Sequence, residues 1–278
     1  PFDEELPEKF EVVDADGNVI PSQTGDERRY WKTDYLSFNR SLRETELALD
    51  LPTAGIGYQV LWLREAKPAR QHNWSKSATT KKIDTDFYRI KFNSNGTFDI
   101  EDKQSGARWR EVHLFEDTED AGDEYDFSPA PNSQILTTKK EKARVRIARR
   151  GPVYVDYEVS IPWKIPRAIT ADRTARDKRL VDMTITSRIR VFRSSPRIEI
   201  KTSFANRALD HRLRMHVPVP VECRDAIADG HFAHIQRKFQ ERTTKKHDTE
   251  EPVTHHMRHF VALTRGKPIV MGRKNFES

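Results

Sequence analysis

The chain has 278 residues, 36% hydrophobic and 33% charged, with a mean hydropathy of −0.81. No apolar run approaches the roughly eighteen residues of a membrane-spanning helix, and the single cysteine, Cys223, excludes an internal disulfide framework and a cysteine-rich zinc site. Forty-nine basic against 43 acidic residues give +6, but both signs are interspersed, which describes a solvated surface rather than a phosphate-tracking stripe.

The dominant hydrophobic period is two, the period of strands. Val12 and Val13, the turn formers Asp14 to Asn18, then Val19 and Ile20 predict a hairpin. Residues 44–49 predict a further strand. Pro52 to Gly57 mark a turn, and Tyr58 to Leu63 predict the last strand of a first unit. Residues 64–82 are polar, with Pro68 and a Ser/Thr/Lys stretch, the signature of a linker.

A second unit starts near Ile83. Tyr88, Ile90 and Phe92 alternate with Arg89 and Lys91, Asn93 to Gly96 turn the chain, and Phe98 and Ile100 alternate on the return. Ala143 to Ala148 and Val153 to Ile161 flank Arg150-Gly151-Pro152 as another hairpin. Between Val181 and Phe192, Met183, Ile185, Ile189 and Val191 share one face, and Thr184, Thr186, Arg188 and Arg190 the other, wet one. Ile198, Ile200 and Phe204 alternate on the way back. No stretch carries a capped helical stripe. The expected fold is all-β: a small β-sandwich over 1–67, a linker over 68–82, and a large antiparallel β-sandwich over 83–278 that stops short of its last strands.

The most unusual segment is Glu116 to Asp126, with seven acids in eleven residues. As a calcium loop starting at Asp117 it fails at Ala121 and Ser128, two ligand positions. It reads either as an acidic surface loop or as a polar loop at a sandwich rim holding Tyr125 toward a sugar. The clusters His255, His256, His259 and His231, His234 fall in strand-like sequence, which does not favour a zinc site. The basic stretch Lys139 to Arg150 lacks the interleaved aromatics of single-strand binders and predicts the wet face of a sheet. No Gly-rich phosphate loop and no nucleophile elbow is present. Asn39, Asn73 and Asn95 begin glycosylation sequons, which matter only in a secreted eukaryotic context. No secretory signal is visible after Pro1, so the expected location is cytoplasmic, and an opening of this kind suggests a piece of something larger.

Three ordered blocks carry a resemblance: Phe87 to Gly106, Gly122 to Pro129, and Asn206 to Arg214. Together they resemble the C-terminal β-region of glycoside hydrolase family 38, the retaining α-mannosidases, and within it the bacterial branch that includes mannosylglycerate hydrolases. Pro52 to Tyr58 is similar to the stretch that closes the family's small sandwich. The resemblance implies a galactose-mutarotase-like super-sandwich for the large unit. It also implies that the zinc ion, its His and Asp ligands, the nucleophilic Asp and the acid/base carboxylate lie on an N-terminal barrel that nothing here matches. The chain is then expected to carry no catalytic residue and no metal, and to serve as a non-catalytic partner of its own barrel and helical bundle. The substrate of the whole enzyme would be a mannoside, and neither nucleic acid nor membrane is expected as a partner.

A family tyrosine that reaches the substrate pocket corresponds to Tyr125, with Asp123 and Asp126 beside it, and a basic residue that approaches the pocket corresponds to Arg237. His211 and Arg212 lie in a motif whose role the resemblance does not specify. The alternative is a free-standing carbohydrate-binding β-sandwich that uses the rim acids, Tyr125 and an exposed tryptophan such as Trp109 or Trp163.

Overall fold

The computed structural model describes residues 10–33, 39–51, 55–66, 74–122, 127–220, 225–230 and 233–238. Strand β1 (Phe10–Val13) pairs antiparallel with β2 (Val19–Ile20) through the expected turn, where the Asp14 carboxylate accepts the backbone N–H groups of Asp16 and Asn18 at 3.0 and 2.8 Å. Strands β3 (Ser22–Thr33) and β4 (Asn39–Leu49) form a long two-stranded arm, and β5 (Trp62–Glu65) closes the first sheet in the order β2-β1-β5. The period-two signal missed β3 because most of that strand is exposed on both faces and so shows no apolar alternation.

The second sheet runs β6 (Lys82–Asp84), β7 (Tyr88–Phe92), β8 (Phe98–Asp102) and β9 (Arg108–Val112), all antiparallel. The Asn93–Gly96 turn stands where the sequence places it, with Gly96 at φ +85. A Cβ at Gly96 would also lie 2.8 Å from the Ala143 Cβ, so conformation and space both demand glycine. Strands β10 (Leu114–Glu119) and β11 (Leu136–Thr137) follow, then β12 (Arg144–Arg150) and β13 (Tyr154–Ile161). The hairpin of β14 (Lys164–Pro166) and β15 (Leu180–Asp182) precedes β16 (Ile185–Phe192) and β17 (Ile198–Phe204). Last come β18 (His211–His216) and the hairpin of β19 (Asp225–Gly230) and β20 (Ala233–Lys238). Apart from two single 3-10 turns, all regular structure among the described residues is antiparallel strand, as expected of an all-β chain.

The core lies between the β6–β9 sheet and the four-stranded sheet β12-β13-β16-β17. Ile83, Ile90 and Phe98 from the first meet Tyr157, Ile161 and Ile189 from the second, and the Phe92 and Tyr157 rings stack 4.4 Å apart. His113 ties the two layers with polar contacts. Its Nδ1 is 2.9 Å from the Gly96 carbonyl and its Nε2 is 2.7 Å from the Ser187 hydroxyl, which in turn meets Thr202 at 2.8 Å. Within residues 74–82, Trp74 donates to the Pro152 carbonyl at 2.8 Å and Tyr157 donates to the Thr79 carbonyl at 3.0 Å, so this polar stretch is packed onto the large sheet.

One face expectation needs correction. Met183, Ile185, Ile189 and Val191 are buried as read, but Arg190, assigned to the wet face, is 5% exposed. Its Nε and Nη2 bond the Asp156 carboxylate at 2.8 and 3.1 Å, its Nη1 reaches Glu46 of the arm at 2.5 Å, and its guanidinium sits 3.8 Å from the Tyr154 ring centre. The arm covers this side of the sheet and supplies the countercharge, which is why an arginine is tolerated there. Gln23 of the same arm accepts the backbone N–H groups of Val153 and Tyr154 at 3.1 and 3.0 Å.

Candidate functional site

The acid-rich segment begins as a strand, not a surface loop. Glu116, Asp117 and Glu119 lie on β10 and are 8%, 0% and 1% exposed. Strand β10 pairs with β18, setting Glu116 opposite Arg214 and Glu119 opposite His211. Each buried carboxylate is held by a cation or a hydrogen bond, as burial of charge requires. Arg176 donates from Nη1 to Asp117 Oδ1 at 2.7 Å, from Nη2 to the Asp117 carbonyl at 2.9 Å, and from Nε to Glu119 Oε2 at 2.8 Å. His211 bridges Asp117 Oδ2 at 2.5 Å and Asn206 Oδ1 at 3.0 Å. Glu116 takes Arg214 and lies 3.1 Å from His216 Nε2. Burial alone would raise the Glu119 carboxyl, but hydrogen bonds, that from Ser133 foremost, and the Arg176 charge bring it below its ordinary value.

This network leads to residues 120–122 and 127–128, the two fixed stems that flank residues 123–126. The Asp120 carboxylate accepts the N–H groups of Gly122 at 2.9 Å and Ser128 at 3.0 Å, and the Ala121 N–H donates to the Ser128 carbonyl at 2.7 Å. Arg173 donates to the carbonyls of Ala121 and Gly122 at 2.8 and 3.1 Å. The Arg212 guanidinium lies 3.3 Å from the centre of the Phe127 ring on the other stem. Charged groups from three separate parts of the chain thus fix the flanks on either side of residues 123–126.

Asp123, Tyr125 and Asp126 lie outside the described residues. Arg237 lies on β20 opposite Ala226, and its side chain is also outside the description. His211 and Arg212 are now placed: one braces Asp117 and the other stacks on the loop stem. The two tryptophans named as exposed platforms are not exposed. Trp163 is buried in the core at 5%, and Trp109 packs partly buried against it, because each falls on the inward phase of its segment. His255, His256 and His259 lie outside the described residues, as does His231.

Residues 83–268 match the sequence model of the glycosyl hydrolases family 38 C-terminal domain. The chain belongs to family 38. The chain is also 24% identical over 200 residues to a protein of Halalkalibacterium halodurans named "Putative mannosylglycerate hydrolase", a match covering 66% of this chain and 22% of that one. Two crystal structures from Enterococcus faecalis share the fold at 21% identity. One, of a protein in family 38, gives a TM-score of 0.73 over 84% of this chain and 30% of that one. The other, of an alpha-mannosidase, gives 0.70 over 85% and 29%. The family 38 chain described here therefore spans less than a third of the length of these relatives.

The described residues gather no metal-ligating cluster. Among them, no group of three His, Cys, Asp or Glu side chains is placed to hold a metal ion. Asp117 and Glu119 converge, but on the Arg176 guanidinium, a cation already in place. Chemically the arrangement holds the flanks of residues 123–126 in place. Sequence reading missed Arg173, Arg176 and Asp120 in this role. A signal was present in the complementary pattern of acids at 116–119 and basic residues at 211–216, two segments that pair as strands.

Proposed function

We propose that this chain is the non-catalytic β-portion of a retaining, zinc-dependent α-mannosidase and completes the rim of its active site. The match of residues 83–268 to the family's C-terminal domain carries this reading. The braced stems on either side of residues 123–126 support it, because a rim group must be held in place to direct a hydrogen bond. In this reading Tyr125 presents its hydroxyl to the mannoside, Asp123 and Asp126 flank it, and Arg237 approaches the same pocket. The partners are the barrel and helical bundle of the same enzyme, and the barrel holds the zinc and both catalytic carboxylates. In this reading residues 1–67 belong to the small sandwich, 68–82 to the linker and 83–278 to the large sandwich of a cytoplasmic protein.

Assay of an aryl α-mannoside with added zinc tests the proposal. The full-length enzyme should hydrolyse it, and this chain alone should not. Tyr125→Phe in the full-length enzyme should lower turnover while leaving the melting temperature unchanged. Turnover by the chain alone that survives repurification would overturn the reading.

A further inference from the structure

The three-stranded sheet β2-β1-β5 leaves the ends of one apolar row exposed. Val13 stands opposite Val19 on one side and Trp62 on the other, so the three form a single row on one face. Val13 is buried at 6%, but Val19 and Trp62 at the ends of the row are 54% and 48% exposed. The irregular chain just before β5 adds three further exposed apolar side chains next to the row, Val60, Tyr58 and Ile56, at 55%, 92% and 109%. Leu61 and Leu63, the intervening residues next to and within β5, are half-buried. One charged pair borders the row on the same face, Arg64 with Glu11 at 2.5 Å. Apolar side chains gathered on one sheet face with a polar border mark an interaction surface rather than a solvated one.

A three-stranded sheet needs a second layer over its apolar face to be stable. The neighbouring β3–β4 arm is bound to the large sheet through Gln23, Glu46 and Asp26, and among the described residues nothing hides Trp62 or Val60. We infer that this face docks a further apolar β-layer supplied by the remainder of the hydrolase chain, so that the small sandwich is completed by polypeptide outside this region. The inference rests on the reading of this chain as part of a longer family 38 enzyme. Length supports that occupant: about 70% of each solved relative lies outside the superposed part. A second copy of this chain fits less well, because a stable dimer engages roughly 20–30 residues a side and this strip exposes five, Val19, Ile56, Tyr58, Val60 and Trp62. A layer on the same polypeptide needs no such area, since its effective concentration is high.

The test compares the full-length enzyme with this chain by hydroxyl-radical footprinting, using buried Trp163 and exposed Trp31 as internal references. In this chain Trp62 should label well above Trp163; in the full-length enzyme its labelling should fall to the Trp163 level. Tyr58→Asp with Val60→Asp should lower the melting temperature of the full-length enzyme by several degrees and leave that of this chain unchanged. Equal Trp62 labelling in both proteins, with neither melt moved, overturns the inference. Protection in the isolated chain also overturns it, in favour of a second copy where dilution abolishes the protection and of this chain's own other residues where it does not. Mannosidase activity measured on the same full-length preparation tests the parent reading separately.

Discussion

Arg176 and Asp117 are joined twice, by Nη1 to the carboxylate at 2.7 Å and by Nη2 to the same residue's main-chain carbonyl at 2.9 Å, with both side chains almost wholly withdrawn from water. The main-chain bond makes Arg176 a structural member of β10 as well as a countercharge. Arg176→Ala strands two buried carboxylates, Asp117 and Glu119, without their cation. Loss of one partner of a buried ion pair costs about 3–5 kcal/mol, and urea unfolding of the variant should show a loss of that size. A loss under 1 kcal/mol would mean that water or another cation replaces the guanidinium.

Gln23 acts as a short substitute for a strand edge, since one side-chain oxygen accepts two successive backbone N–H groups. Gln23→Ala leaves both donors buried and unpaired, at a cost of about 1–3 kcal/mol each if water does not enter. Gly151→Ala should act on the same contact from the other side, because its Cβ would fall 2.2 Å from the Gln23 side-chain carbon. Both variants should expose the arm to trypsin after Arg28 and Arg29 without first unfolding the large sheet. Unaltered cleavage at these two sites would show that the contact does not hold the arm.

The large sandwich was legible in the sequence because strands such as β7 and β16 bury apolar side chains at alternate positions. Ile83, Ile90, Phe98, Tyr157 and Ile189 alternate with polar residues in phase with the pleat. The arm was not legible, since Ser22 to Thr33 is mostly wet on both sides and offers no period to find. Arg190 was misplaced for a related reason. Its burial depends on Glu46, which lies 144 residues away and reaches it only in the folded chain. The loop stems failed in the opposite direction. Seven acids in eleven residues suggested exposure, yet the first four of those residues are a buried strand neutralised by residues some sixty to one hundred positions away. Composition reports charge; only topology reports where the countercharge stands.

His113 predicts a pH dependence near neutrality. The Gly96 carbonyl can only accept, so Nδ1 carries the proton, and Nε2 is left to accept from the Ser187 hydroxyl. Burial holds the imidazole below its ordinary value of 6.5, with the Gly96 bond opposing in part. The unfolded chain therefore binds a proton below pH 6.5 that the folded chain refuses. Stability is fully present above that pH and is lost as pH falls from 6.5 toward the lowered folded value, by at most about 1.4 kcal/mol per pH unit. Urea midpoints at pH 7.5 and 5.5 should differ accordingly, and His113→Gln should flatten the difference. A wild-type midpoint constant across this range would mean that the imidazole takes up its proton in the folded state.

The arm predicts a second, more acidic transition that is local. Hydrogen bonding to Arg188, with help from Arg149, holds the Asp26 carboxyl below its ordinary value, and the bond to Arg190 does the same for Glu46. Both folded values are depressed, so the stability they lend is present above the ordinary carboxylate range and is lost as pH falls below about 4. Both side chains are partly exposed, which keeps each contribution small, but both act on the same two strands. Amide hydrogen exchange, corrected for the intrinsic effect of pH, should show β3 and β4 losing protection at a higher pH than β13 and β16. The paired substitution Asp26→Asn and Glu46→Gln should reproduce that loss at pH 7 in the arm alone. If arm and sheet instead lose protection in step at every pH, the two acids contribute only to global stability and the arm has no separate release.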